Sequence, residues 1–244
     1  MVCLEMKSLK YLTLLSFVAI IACNPGSLEN TMPGFSVGPN TMVEFASGNL
    51  SEDGHRFVSN PTDYGGLFGW GTGDNLGNTS EDYHDYPVFH DWAENIGEGW
   101  RTPTVAEWRY LLFERQNADQ KWAPATVDSV HGLLILPDNF VLPANCRFES
   151  RHLRRTVNVY TTTQWQKMEA AGAIFLPCSG FRWGTDIYGH NCEGIYWTST
   201  PTGDYGAHSM YFSSDTLNTD PDGERHFGHS VRLVRDISSE RSNR

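Results

Sequence analysis

The chain has 244 residues and a formal net charge of −11, with 13% aromatic and 19% charged side chains. That acidic balance excludes a duplex nucleic-acid binder, which needs a basic face, and otherwise bears on solubility alone. The 23 Gly and 12 Pro are spread along the chain, which points to a loop-rich domain with much β structure and few long helices.

Lys7 and Lys10 precede an uncharged run from Tyr11 to Ala22 (YLTLLSFVAIIA). A membrane-spanning helix needs about 20 apolar residues, so this run is too short to span and suits the hydrophobic region of a signal peptide. It ends in Ile20-Ile21-Ala22-Cys23, which resembles the lipobox of bacterial lipoproteins. The resemblance implies a diacylglycerol on the Cys23 thiol and cleavage just before it. An ordinary secretory signal cut nearby, with Cys23 incidental, is the alternative. Met6 makes a more natural start than Met1, because Glu5 would put an acidic residue ahead of the lysines. Residues 1–22 therefore read as the signal and 23–33, with Asn24-Pro25-Gly26-Ser27, as a polar tether. The expected location is the bacterial cell envelope, on the outer membrane and lipid-anchored, with either face open.

Phe35-Ser36-Val37 and Met42-Val43-Glu44-Phe45 read as short strands split by Gly38-Pro39-Asn40. From Gly48 to Gly99 the chain has no helical period, yet it holds too many aromatics for a disordered linker. This stretch is expected to be an ordered loop packed on the core by Phe68, Trp70, Tyr86 and Trp92. Thr104 and Glu107 form a capping box, in which the Thr hydroxyl and the Glu carboxylate satisfy each other's backbone N–H. Trp108, Leu111 and Leu112 then share one face, predicting a helix from Val105 to about Gln116. A second helix is predicted over Thr163 to Ala171, closed by Gly172 in a left-handed cap.

Gly132 to Pro137, expected to be buried on both faces, and Ala173 to Pro177 read as strands. Ile195 to Ser199, Ser209 to Ser213 and Ser230 to Arg235 read as three antiparallel strands joined by polar loops. Helices early and strands late predict an α+β domain over 34–236, with a polar tail at 237–244.

Beyond Cys23 the cysteines are Cys146, Cys178 and Cys192. Export permits a disulfide, and Cys178 and Cys192, which bracket one Gly-rich loop, are the candidate pair. A Cys/His metal site using His190 is the rival, but no CxxC or HxxxH spacing supports it. Asn218-Thr219-Asp220-Pro221-Asp222-Gly223 imitates the start of a calcium loop. His229 stands where an EF-hand would place its bidentate Glu, so a polar turn is the expectation and no metal or cofactor is assigned. No GxSxG, HExxH or P-loop motif occurs.

The binding candidates lie between Gly203 and Gly228. Tyr205, His208, Tyr211, Ser213, Asp215, Asn218 and His226 mix rings with small polar groups, the chemistry of adaptable recognition surfaces. With Met210 and Phe212 pointing into the core, Ser209, Tyr211 and Ser213 should point outward. A solvated face with ordinary loops is the competing reading.

The series WRTPTVAEW, HGLLILPD, FLPCSGFR, GIYWTST and GHSVRLVRD resembles the Fibrobacter succinogenes major paralogous domain and its relatives among lipoproteins of gut Bacteroidetes. FSVGPNTMVEFASGNL and LFGWGTG resemble their amino-terminal part, so the likeness covers about residues 34 to 236. Those proteins are similar to the C-type-lectin-like fold shared with formylglycine-generating enzymes. The resemblance implies that Trp100, Arg101, Pro103, Thr104, Glu107 and Trp108 are scaffold, because a cap and a Trp anchor are structural tasks. The missing catalytic motifs and the candidates between Gly203 and Gly228 predict a non-catalytic binding module for a glycan or protein ligand; the resemblance itself reports fold and not activity. Two alternatives come with it. One is a formylglycine-generating-type oxidase, doubtful because Cys178 and Cys192 depart from the family's copper-binding spacing. The other is a ligand-binding protein sequence-diversified by a diversity-generating retroelement.

Overall fold

The computed structural model describes residues 33–97, 99–150 and 157–237. The signal, Cys23 and the tether up to residue 32 lie outside them, as does the tail beyond Ile237. Among the described residues no helix is long and apolar enough to cross a membrane. The architecture is mixed α+β, mostly strands with two short α-helices.

In chain order, β1 (Phe35–Gly38) and β2 (Thr41–Phe45) form a hairpin. After a long ordered loop come β3 (Trp100–Arg101), α1 (Val105–Arg109), β4 (Trp122–Val127) and β5 (Val130–Ile135). Next are β6 (Asn158–Tyr160), α2 (Thr162–Ala170), β7 (Ile174–Pro177) and the hairpin of β8 (Phe181–Trp183) with β9 (Asp186–Tyr188). The last strands are β10 (Gly194–Thr202), β11 (Gly206–Phe212), β12 (Leu217–Asn218), β13 (Asp222–Glu224) and β14 (Val234–Asp236). One sheet has the order β1-β2-β14-β3, a second β6-β4-β5-β7, and a third β10-β11-β12 with β13 also on β11. All pairs are antiparallel except β4 with β6.

Two expectations are corrected here. β10 and β11 pair as predicted, but β14 leaves them and lies between β2 and β3. Residues 230–233 form no regular strand; Ser230 makes only an isolated bridge to Tyr196. Val231, Arg232 and Leu233 are all buried, so this segment is covered from several sides and ladders with no single neighbour.

The first helix also differs. Thr104 caps it as expected: its hydroxyl accepts from Glu107 N at 3.2 Å, and Glu107 Oε2 accepts from Thr104 N at 2.8 Å. After Arg109, however, the chain widens into a π-helical turn over Tyr110–Glu114, and Arg115 is extended. The turn delivers the buried Arg115 guanidinium to Asp138 Oδ1 and Leu136 O, each at 2.9 Å. In the second helix Thr161 and Gln164 form a capping box. Gly172 then takes φ +96°, the left-handed geometry that only glycine adopts at little cost.

Trp108, Leu111, Leu133, Tyr196, Met210 and Val234 form one core cluster, bridging α1 and all three larger sheets. Leu134, Tyr160, Trp165, Met168 and Phe175 form another under α2. The third packs the long loop: Leu50, Phe68, Trp70, Trp92, Trp197 and Val231. Phe68, Trp70, Tyr86 and Trp92 are all buried, as their density in the sequence predicted. Trp70 Nε1 donates to Thr198 O at 2.9 Å, and Trp197 Nε1 donates to Phe68 O at 2.7 Å. Gly71 has φ +69°, and a Cβ there would stand 2.7 Å from Phe89 Cα.

Buried arginines secure the same region. Arg225 donates to Gly206 O at 3.0 Å, Gly203 O at 3.2 Å and Tyr86 O at 3.3 Å, and its guanidinium lies 4.6 Å over the Trp70 ring. Arg182 donates to Gly184 O at 2.7 Å, with longer contacts to Leu67 O and Asn78 O at 3.4 Å. Each holds together segments far apart in sequence. The predicted Cys178–Cys192 disulfide is not formed: Cys178 is buried in the first core cluster, and Cys192 is exposed. The two side chains go to different environments. Backbone bonds hold this loop instead, Asn191 N to Cys178 O at 2.8 Å and Gly180 N to Glu193 O at 2.8 Å.

Candidate functional site

The scaffold residues of the first helix meet around one carboxylate. Arg101 pairs bidentately with Glu107, at 2.8 and 2.6 Å, and reaches Asp236 at 2.7 Å. Partial burial opposes the guanidinium charge, but its hydrogen bonds to the Glu107 and Asp236 carboxylates, with their charges, outweigh it and raise the Arg101 pKa. Pro103 O accepts from Ser199 N at 3.0 Å. Trp100 packs edge-on to Phe57 with Arg235 over its ring, and Trp108 is buried beside Phe45.

The seven binding candidates do not form one site. Tyr205 stands in the β10–β11 turn, 56% exposed, with its ring 5.4 Å from Tyr83. His208 lies within β11 and is opposite Asp222. Its Nδ1 is 2.8 Å from Asp220 Oδ1 and 3.2 Å from Asp222 Oδ1. Tyr211 donates from its hydroxyl to Glu193 Oε1 at 3.1 Å; partial desolvation and the Glu193 charge raise its pKa, opposed by a hydrogen bond with Ser213. Ser213 donates to Asp215 Oδ1 at 2.9 Å in a turn, and Asn218 accepts from Asp220 N at 3.0 Å. Eight residues of extended chain separate Tyr205 from Ser213, about 26 Å, so the two groups occupy opposite ends of the hairpin.

The expected orientation holds for Met210 and Phe212, which are buried, and Tyr211 is half-buried. It fails at Ser209, buried where Pro221 O lies 3.1 Å from its backbone N–H. His226 is likewise not exposed: it is buried against Phe227 at 4.6 Å, with Glu224 Oε2 3.3 Å from its Nδ1.

A face that sequence reasoning missed lies at the Tyr205 end. The hairpin of β8 and β9 exposes Trp183 (50%) and Tyr188 (46%) on one side and Ile187 (57%), opposite Arg182, on the other. Trp183 stands edge-on to Phe227 at 6.1 Å, and Tyr188 stacks on Phe181 at 5.5 Å. Gly184, in the turn, abuts the Glu81 carboxylate, and the next residues, Asp82 to His84, lead to the Tyr83–Tyr205 pair. The Asp82 carboxyl is held below the usual carboxylate range, chiefly by the His84 backbone N–H and ring and in small part by the charge of His226. The β8–β9 hairpin, the 81–84 turn and the β10–β11 turn thus share one surface. The available signal was Phe-Arg-Trp-Gly-Thr-Asp-Ile-Tyr, a glycine turn between two aromatic-bearing runs.

This surface carries rings and carboxylates over a rigid base. The two arginines beneath it are buried, and their guanidinium groups donate to backbone carbonyls. Among the described residues, no group of three or more His, Cys, Asp or Glu side chains is arranged to hold a metal ion. Comparison with protein-family models, with curated proteins and with solved structures returned no match for this chain.

Proposed function

We propose that this chain is a lipid-anchored lipoprotein of the bacterial cell envelope whose C-type-lectin-like domain is a non-catalytic binding module. The observation that carries the reading is the pairing of exposed Trp183, Tyr188 and Tyr205 with loops fixed by buried arginines. Exposed large rings grouped on one surface mark an interaction site, and a rigid base limits the ordering cost of binding. The formylglycine-type alternative would need Cys178 and Cys192 to meet a substrate together, and Cys178 is fully buried.

The test is a glycan array and a panel of purified envelope proteins probed with the domain, beside a Thr104→Ala control. Saturable binding that survives Thr104→Ala supports a module with a separate scaffold. Turnover of a sulfatase-type Cys peptide in the presence of copper, or no saturable binding in either panel, would overturn it.

A further inference from the structure

The proposed binding face has a charge pattern that selects its ligand. Residues 57–100 contain no lysine or arginine, and residues 168–224 contain only Arg182. The same two stretches hold sixteen Asp and Glu, and between them they supply the 81–84 turn, the β8–β9 hairpin and the Tyr205 turn. Arg182 is buried, and its guanidinium donates to Gly184 O and, at longer range, to Leu67 O and Asn78 O, so it offsets one of these sixteen charges but is not exposed to pair with the carboxylates. Arg225 is buried in the same way. Rings with negatively polarised faces therefore stand among carboxylates with no exposed lysine or arginine from these stretches, the His84 ring being the basic group beside Asp82.

We propose that this face binds a cationic peptide segment of a partner protein, with arginine or lysine side chains laid on Trp183 and Tyr205 and their charges met by Glu81 and Asp82. This deepens the binding-module reading and rests on it. A guanidinium over a ring face is attracted by the ring quadrupole, most strongly over Trp. Neighbouring carboxylates raise the encounter rate with a basic segment and disfavour acidic partners. Trp183 and Tyr205 are half exposed and can be truncated without opening the core. The underlying arginines keep the two turns in place before the ligand arrives.

The experiment uses the full chain in non-ionic detergent and a short arginine–glycine repeat peptide as probe. Binding is followed by tryptophan fluorescence and calorimetry at about 150 mM salt, where long-range attraction is largely screened. The same peptide with citrulline in place of arginine is the neutral control, and a neutral glycan array runs in parallel. Expected is saturable binding to the arginine peptide, none to the citrulline peptide, and about tenfold weaker affinity in a Trp183→Ala/Tyr205→Ala double variant with an unchanged melt. Glu81→Gln with Asp82→Asn should weaken binding further as salt is lowered relative to the parent. Equal affinity of the double variant for the arginine peptide, or equal binding of the citrulline peptide, would overturn the proposal. Glycan binding with no peptide binding would also overturn it while leaving the module reading intact; silence on both panels removes the two together.

Discussion

His229 is the residue whose chemistry is most altered by the fold. It is fully buried, its ring stacks on Trp197 at 3.9 Å, and its Nδ1 has no hydrogen-bond partner. Burial, with a smaller push from the Arg182 charge, lowers its pKa to about 3. The unfolded chain binds a proton near the ordinary histidine value of about 6.5 while the folded chain does not. Between those two values the unfolded state holds more protons, so stability falls as pH drops below 6.5 and the loss is complete near 3. At pH 5 the loss from this one group is about 2 kcal/mol. Urea unfolding at pH 7.5 and pH 5 should show that drop in the parent, and His229→Phe should shrink it by about the same amount. An identical pH dependence in the variant would place the acid sensitivity elsewhere. Arg232 illustrates the opposite case. Burial lowers its pKa to about 10, which still leaves it charged near neutrality. It is held by Asn49 Oδ1 at 3.1 Å, Ala46 O at 2.8 Å and Phe175 O at 2.6 Å. Arg232→Met would strand those three acceptors and should cost about 3 kcal/mol or more in a denaturant melt.

At the scale of elements, local signals were readable and tertiary ones were not. The Thr104–Glu107 cap was legible because both partners lie within four residues. Thr104→Ala should cost about 1 kcal/mol in a thermal melt. The π-helical turn after Arg109 was not legible, because Arg115 is held by Asp138 and Leu136, more than twenty residues on. The hairpin of β4 and β5 was half seen. Its turn is Asp128-Ser129 with both φ positive, where Asn-Gly or Asp-Gly would have signalled it. Pro124 also argues against a strand, but β6 pairs with β4 only from Ala125 onward. The binding face was missed for a related reason: Tyr205 was visible as an exposed ring, while its neighbours come from residues 81–84 and 181–188. Arg182 ties the β8–β9 hairpin to the loop just ahead of residue 81, at Leu67 O and Asn78 O. Replacing it with Leu keeps the bulk, removes donors from Gly184 O, Asn78 O and Leu67 O, and should cost about 2 kcal/mol. Limited proteolysis should then cut faster between Asp74 and His90; unchanged cleavage would show that Arg182 does not hold the loop.

For the whole molecule, the acidic charge and the proposed anchor have to be considered together. A net charge of −11 gives the domain no electrostatic attraction to anionic lipid headgroups, which draw basic segments to a membrane surface. Among the described residues no helix can span a bilayer. The attachment proposed here lies in the segment before Pro33. One acyl chain gives only marginal, reversible binding, whereas two signals anchor stably, and the diacylglycerol expected on Cys23 supplies two chains. Cys23→Ser should therefore move the protein from the detergent-extracted membrane fraction to the soluble envelope fraction and abolish labelling by a radioactive fatty acid, with the unfolding midpoint unchanged. A variant that remained in the membrane fraction after a high-salt wash would show that something other than this lipid holds it.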